Sequence, residues 1–270
     1  MDNEKKQKVV IVDNGYLMHR AIFSFRVNPS GVPVTYLYLR MMIACLNKLG
    51  LDYEDKIIVA MDSPLGSWRR AIDPQYKAQR KENREALENA DWWKEIYKDF
   101  KEFNEKLRRA VPWCFVELPK VEADDWASVA CRYFENEEVI LVSSDRDWEQ
   151  LVVYPNVKVF SILKKEFKDI PNGYKVLQEK IMKGDVSDNL LGAPQNDQEL
   201  ERRKKVVSLL ELPPDLETAI RWQLSNLPIK TLDLNKIPYY SLRQKIEEIY
   251  LPQKPVVKKE RKKKGEKDAD

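Results

Sequence analysis

Nine carboxylates in this 270-residue chain are gathered in five groups, most of them just beyond apolar runs. Asp13 follows KVVIV at Lys8–Val12, and Asp62 follows KIIVAM at Lys56–Met61. Glu122, Asp124 and Asp125 come after the run Cys114–Leu118, and Asp145 and Asp147 after EVILV at Glu138–Val142. Asp185 and Asp188 lie in GDVSDN. Anions converging on one rim need raised pKa values or neutralising cations. Oxygen donors without His or Cys suit hard ions, Mg²⁺ with Mn²⁺ able to substitute. Taken singly, an aspartate at a strand end is well explained as the N-cap of the next helix, and Asp125 beside Asp124 as a charge favouring the helix dipole. Capping would draw on Ser, Thr and Asn as freely, so the succession of acidic groups favours a metal site.

The apolar runs have strand length, and Val157–Phe160 supplies a fifth. Between them lie segments of helical spacing, Val34–Leu49 and the stretch after Glu122. Continuous apolar strands alternating with helices predict an α/β fold with a largely parallel central sheet flanked by helices. Ligands in such sheets bind beyond the carboxyl ends of the strands, where the acids stand. Residues 68–110 are rich in Lys, Arg, Glu and Trp and have no strand signal, which predicts one or two long exposed helices. From about Pro171 the pattern is helical to about residue 250, broken at Gly184–Pro194 and near Pro213. The expected division is a core over 1–170, a helical lobe over 171–252 and a disordered basic tail over 253–270.

Composition narrows the chemistry. With 34% charged and 43% hydrophobic residues and no apolar run of membrane length, the chain is expected to be soluble; its cysteine usage fits a reducing cytoplasm, and a monomer is expected. Three widely spaced cysteines make neither a zinc pattern nor a disulfide framework. The single histidine, His19, excludes a His-rich metal site and a Ser-His-Asp triad. Net charge is +3, yet residues 254–270 hold eight Lys/Arg against four acids, leaving −1 for the rest. A near-neutral body fits a protein in which an acidic pocket cancels basic surface elsewhere.

The motifs VIVDN at 10–14, MDS at 61–63, WRRAIDPQYKAQR at 68–80, VEADD at 121–125, SSDRDW at 143–148 and KGDVSDN at 183–189 resemble, in content and order, those of the 5′-nuclease superfamily, which includes the flap endonucleases. YPNVK at 154–158 and IPYY at 237–240 are most similar to the stand-alone RNase H-type exonucleases of T-even bacteriophages. The resemblance implies a PIN-like core, a helical arch at about 68–110 and a helix-turn-helix-type DNA-binding lobe. It implies two Mg²⁺ ions, the first on Asp13, Asp62, Glu122 and Asp124, the second on Asp145, Asp147 and Asp185. Asp125 and Asp188 would act through water or as outer partners.

Lys77 and Arg80, three apart and expected on one helix face, would face the scissile phosphate. Arg69, Arg70, Lys81 and Arg84 add positive charge to the same segment, with Tyr76 at its root, and His19 would stack on the terminal nucleotide. Where flap endonucleases follow the GDxxDN motif with a Gly-x-Gly hairpin, this chain has NLLGAPQNDQELERRKK, leaving Arg202, Arg203, Lys204 and Lys205 as candidate duplex contacts. The implied substrates are DNA and RNA–DNA hybrids with 5′ ends or flaps, as in primer removal, with a single-strand-binding protein or sliding clamp as possible partner. Two alternatives fit the residues less well. A haloacid-dehalogenase-type phosphatase needs a second acid two residues after Asp13, where Gly15 stands. A non-catalytic DNA-binding scaffold descended from a nuclease would be expected to have lost several of the acids.

Overall fold

The computed structural model describes residues 6–27, 31–79, 90–229 and 231–250. Six strands form one sheet in the order β3-β2-β1-β4-β5-β6. They are β1 (Lys8–Asp13), β2 (Lys56–Ala60), β3 (Cys114–Val116), β4 (Glu138–Val142), β5 (Val157–Ser161) and β6 (Glu166–Phe167). All pairs are parallel except β5–β6, a short antiparallel edge. The chain leaves β1 toward β2 on one side and returns as β4 on the other, so the strand order reverses at β1, where open α/β sheets form their binding crevice. Register pairs Asp13 with Ala60 and Val12 with Val142, which brings the acids after three strands to one edge.

Helices cover both faces: α1 (Asn14–Val27), α2 (Val34–Leu46), α3 (Ala90–Arg108), α4 (Ala123–Tyr133), α5 (Gly173–Lys183), α6 (Asp197–Val207), α7 (Pro214–Ser225) and α8 (Tyr240–Glu247). Because strand side chains alternate, Val10 and Val12 enter one core and Val9 and Ile11 the other. The first core holds α2, α3 and α8; the second holds α4 and α7.

Three expectations change here. The third strand ends at Val116, and β6 carries no apolar run that would announce it. Helix α3 is not wholly exposed: Ile96, Phe100, Phe103 and Leu107 form a buried stripe, with Phe100 and Phe103 edge-on to Tyr38. Nor does the core break at residue 170. Ile220 and Leu224 of α7 join the second cluster, while Leu242, Ile246, Ile249 and Tyr250 join the first. Trp113 Nε1 donates to Tyr250 Oη at 2.9 Å, and Thr35 and Tyr239 hydroxyls are bonded at 2.6 Å. Helices α5 and α6 instead share a small cluster of their own, Ile181, Leu190 and Val207. The basic tail at 253–270 lies outside the described residues. No described helix is long and apolar enough to cross a membrane.

Candidate metal centre and nucleic-acid face

Seven of the nine acids meet around a cavity of about 210 Å³: Asp13, Asp62, Asp124, Asp145, Asp147, Asp185 and Asp188. Most are fixed by neighbours. Asp13 Oδ1 accepts the Tyr16 N–H at 2.8 Å and its Oδ2 the Ser143 hydroxyl at 2.7 Å. Asp62 accepts the Ala123 N–H at 2.8 Å, tying the end of β2 to the start of α4. Asp124 accepts Trp148 Nε1 at 2.6 Å, and Asp145 accepts the Asp147 N–H at 2.9 Å. Gly15 leaves room between two of them, since a Cβ there would sit 3.0 Å from Asp62 Oδ2.

The GDVSDN segment is a tight loop. Gly184 has φ +75°, and a Cβ on it would lie 2.2 Å from the Leu190 carbonyl oxygen. Asp185 and Leu190 exchange backbone hydrogen bonds across the loop at 2.7 and 2.9 Å. The loop is stitched to the segment that carries Lys77. Gln79 Nε2 donates to Val186 O at 2.7 Å, Asn189 Nδ2 to Gln75 O at 3.1 Å, and the Lys77 N–H to Asp188 O at 3.2 Å.

Burial, with crowding added, raises the proton affinity of three of the acids, whereas Asp185, against its burial, is held low by the Ser187 hydrogen bonds and Lys180. Burial, with Asp62 and Asp145 adding repulsion against the Tyr16 and Ser143 hydrogen bonds, pushes Asp13 up to about 7. Burial also lifts Asp147 to about 6 against the pull of Lys180. Asp124 is raised by burial and by Asp145, Glu122 and Asp147, with Lys77 opposing. Such carboxylates are stabilised in ionised form by a bound cation. An oxygen-only donor set, crowded and incompletely neutralised, fits hard divalent ions. Asp147, Asp185 and Asp188 offer oxygens all within 4.8 Å of one another.

Glu122 and Asp125 face elsewhere. Glu122 Oε2 accepts Ser67 Oγ at 2.5 Å and Arg69 Nη1 at 2.8 Å, and its Oε1 accepts Lys77 Nζ at 2.8 Å. Burial alone would raise its pKa, but Lys77 and Arg69 outweigh it and hold the group down at about 2. Asp125 lies outside the cavity. It is 0% exposed, 2.8 Å from Arg69 Nη2, and accepts Trp68 Nε1 at 3.1 Å and the Glu122 N–H at 2.9 Å. Its carboxylate ties the start of α4 to Arg69 and does not reach the cavity.

Lys77 reaches the site by a different backbone than expected. It stands in a turn with φ +55°, not on a regular helix face, and its Nζ lies 3.9 Å from Asp188. Arg80, Lys81 and Arg84 lie outside the described residues. A second cavity of about 480 Å³ adjoins the acids, with Lys77, Arg70 and Glu122 among its walls and His19, Trp93 and Tyr97 forming an aromatic one. His19 is exposed, its ring centre 6.4 Å from Trp93 and 6.2 Å from Tyr97.

Other expected contacts are internal. Arg69 is 1% exposed, donates Nε to Val206 O at 2.9 Å and lines neither cavity, whereas Tyr76, 3% exposed, is a largely buried part of the wall of the larger one. Arg203 is equally buried and donates to the carbonyls of Gly192, Ile181 and Leu191, closing the turn that replaces the glycine hairpin. Arg202 is exposed but within 3.4 Å of Asp73, and exposed Lys204 pairs with Glu201 at 2.6 Å. Lys205 is exposed beside a groove shared with Tyr174. Lys180, which sequence reasoning passed over, is an internal cation of the site beside Lys77, bonded to Asp147 and lying 2.6 Å from Asp188 and 3.2 Å from Asp185. Nothing in a lysine-rich chain marks it. Trp148 and Ser143 were also missed, although both adjoin the DxD pair in sequence.

A mostly parallel sheet with an acidic rim at its strand-order reversal defines an α/β nuclease-type fold. Solved structures share it: the T5 5′-exonuclease with bound zinc ions aligns with a TM-score of 0.56 at 19% identity, covering 90% of this chain and 98% of that one. The bacteriophage T5 flap endonuclease in a product complex with DNA and metal ions gives 0.55 at 19% identity, covering 90% and 88%. The family model for the 5′-3′ exonuclease N-terminal resolvase-like domain matches residues 8–181, and the chain belongs to that family. Ribonuclease H of Enterobacteria phage T4 is 28% identical over 201 residues, 70% of this chain and 64% of that protein. The 5′-3′ exonuclease of Mycoplasmopsis pulmonis is 26% identical over 201 residues, 70% and 62%. The chain thus spans somewhat under two thirds of the length of these two relatives.

Proposed function

We propose that the chain is a divalent-metal-dependent 5′ nuclease that hydrolyses phosphodiesters near the 5′ ends of DNA or RNA–DNA duplexes and flaps, as needed to remove lagging-strand primers. The observation that carries this reading is the cavity of about 210 Å³ rimmed by seven aspartates, with Lys77 at its edge. Asp13, Asp62 and Asp124 would hold one ion, and Asp145, Asp147, Asp185 and Asp188 the other; Mg²⁺ is the favoured metal. Such ions ease deprotonation of the attacking water and stabilise both the attacking and the leaving oxygen.

The remaining work falls to side chains on the wall. Lys77 Nζ sits between Glu122, at 2.8 Å, and Asp188 of the rim, at 3.9 Å, where it meets negative charge developing on a phosphate. Glu122, held ionised by Arg69 and Lys77, fixes that ammonium in place. His19, Trp93 and Tyr97 offer π faces on which an unstacked terminal base can rest. The test is product sizing. With 5′-labelled and 3′-labelled copies of one flap substrate, Mg²⁺-dependent release of short 5′ fragments is expected. No release in Mg²⁺ or Mn²⁺ would refute the nuclease reading and leave a DNA-binding scaffold.

A further inference from the structure

The two halves of the acidic rim are neutralised differently. Asp13, Asp62 and Asp124 take hydrogen bonds from neutral donors: backbone N–H groups, the Ser143 hydroxyl and the Trp148 indole. Asp147, Asp185 and Asp188 converge on the ammonium of Lys180, which touches all three. These are also the three whose oxygens all fall within 4.8 Å of one another, the set best spaced for a metal ion. Mg²⁺ would need those same oxygens at about 2.0–2.1 Å, and two cations cannot share them at that range without strong repulsion. Lys180 alone does not balance three carboxylates, and Lys77, 3.9 Å from Asp188, is shared with Glu122 at 2.8 Å, so the triad keeps a negative surplus that attracts a cation.

We propose that Lys180 is a tethered counter-ion. It holds the triad assembled in the free protein and must withdraw before a divalent ion enters, so the two halves bind metal unequally until a polyanion draws the ammonium away. The inference rests on the metal-dependent reading above. The lysine has room to move, because its side chain is 10% exposed and lines a cleft of about 140 Å³. Glu179 in that cleft, now paired with Arg146 at 2.6 Å, is an alternative carboxylate partner. Lys180 is therefore a positioning residue that sets ion occupancy.

Titration of Mn²⁺ into the full chain without nucleic acid, read by calorimetry and by electron paramagnetic resonance, tests this. In the wild type one tight ion is expected, with the second at least ~10-fold weaker and no Mn–Mn coupling. Lys180→Met should bring the second affinity to within a few-fold of the first and produce the coupled spectrum, and Lys180→Arg should keep the wild-type pattern. Two coupled ions of similar affinity in the wild type would overturn the inference while leaving the metal-dependent reading intact, even if the methionine variant fails to fold. So would a second-site affinity unchanged in a folded Lys180→Met. No binding of any ion would overturn both.

Discussion

Asp124 and Asp125 are adjacent and chemically alike, yet the first looks into the acidic cavity and the second is buried against Arg69. One residue of helical rotation, about 100°, separates the two fates. Residue type and position therefore marked the acids in the sequence, while helical phase decided which of them face the rim. The same limit hid Lys180, whose role depends on the fold of the GDVSDN loop. At this scale three outcomes are expected. Asp145→Asn should abolish cleavage while leaving duplex affinity within a few-fold, measured by single-turnover kinetics and a binding assay, because on the proposed metal-dependent reading the carboxylate would serve ions and repel phosphate. Lys77→Ala should slow the chemical step by at least ~10²-fold at saturating enzyme; an unchanged rate would reduce Lys77 to a structural partner of Glu122.

The third outcome follows from Asp13. Burial raises its pKa from 3.8 to about 7, so the folded state holds the proton more tightly than the unfolded chain. That contribution to stability is fully present below pH 3.8 and is lost as pH rises through 7. In chelator, unfolding free energy from denaturant titrations should therefore fall across the window from about 4 to about 7, by a few kcal/mol. Asp13→Asn should remove that part of the slope, and an unaltered slope would contradict the assignment.

Among elements, α3 shows how charge density can mask a core helix. Its 19 residues are mostly polar, but Ile96, Phe100, Phe103 and Leu107 recur at spacings of three and four. Read as composition, the segment looks exposed; read as periodicity, it has one buried face. The strands and α4 were legible because their apolar runs are continuous or end in acid. The edge strand β6 was not, since its two residues are both exposed. Phe100→Ala should cost about 3–5 kcal/mol in chemical denaturation, the scale of a large core deletion. Half-buried Trp93 on the same helix should cost far less when cut to alanine, with the effect appearing in affinity for single-stranded 5′ ends. Equal costs would mean that α3 is not divided between core and site.

For the whole molecule, the α/β class and the succession of motifs were readable, but the packing of the last helices was not. Pro171 reads as a boundary in the sequence, yet α7 and α8 complete the two cores on opposite faces of the sheet. Truncation after Gln253 should leave a folded chain that still cleaves at saturation, because it keeps every buried residue among those described, up to Tyr250, and the whole acidic cavity, whose last acid is Asp188. If the eight Lys/Arg of residues 254–270 bind duplex phosphates, the slope of log K against log salt should flatten by about 0.9 for each phosphate that the truncated chain no longer neutralises. Failure of that truncation to fold would refute the assignment of the core.

The bonds from Trp113 to Tyr250 and from Thr35 to Tyr239 join positions 137 and 204 residues apart. Closing loops of that length is entropically late, after the local βαβ pairing has formed. They act as a latch on the lifetime of the native state more than on the speed of reaching it. Weakening either bond would shorten the time before the sheet opens while leaving the refolding rate nearly unchanged. For a chain carrying a mutually repelling acidic rim, that kinetic barrier would set how long the assembled rim persists.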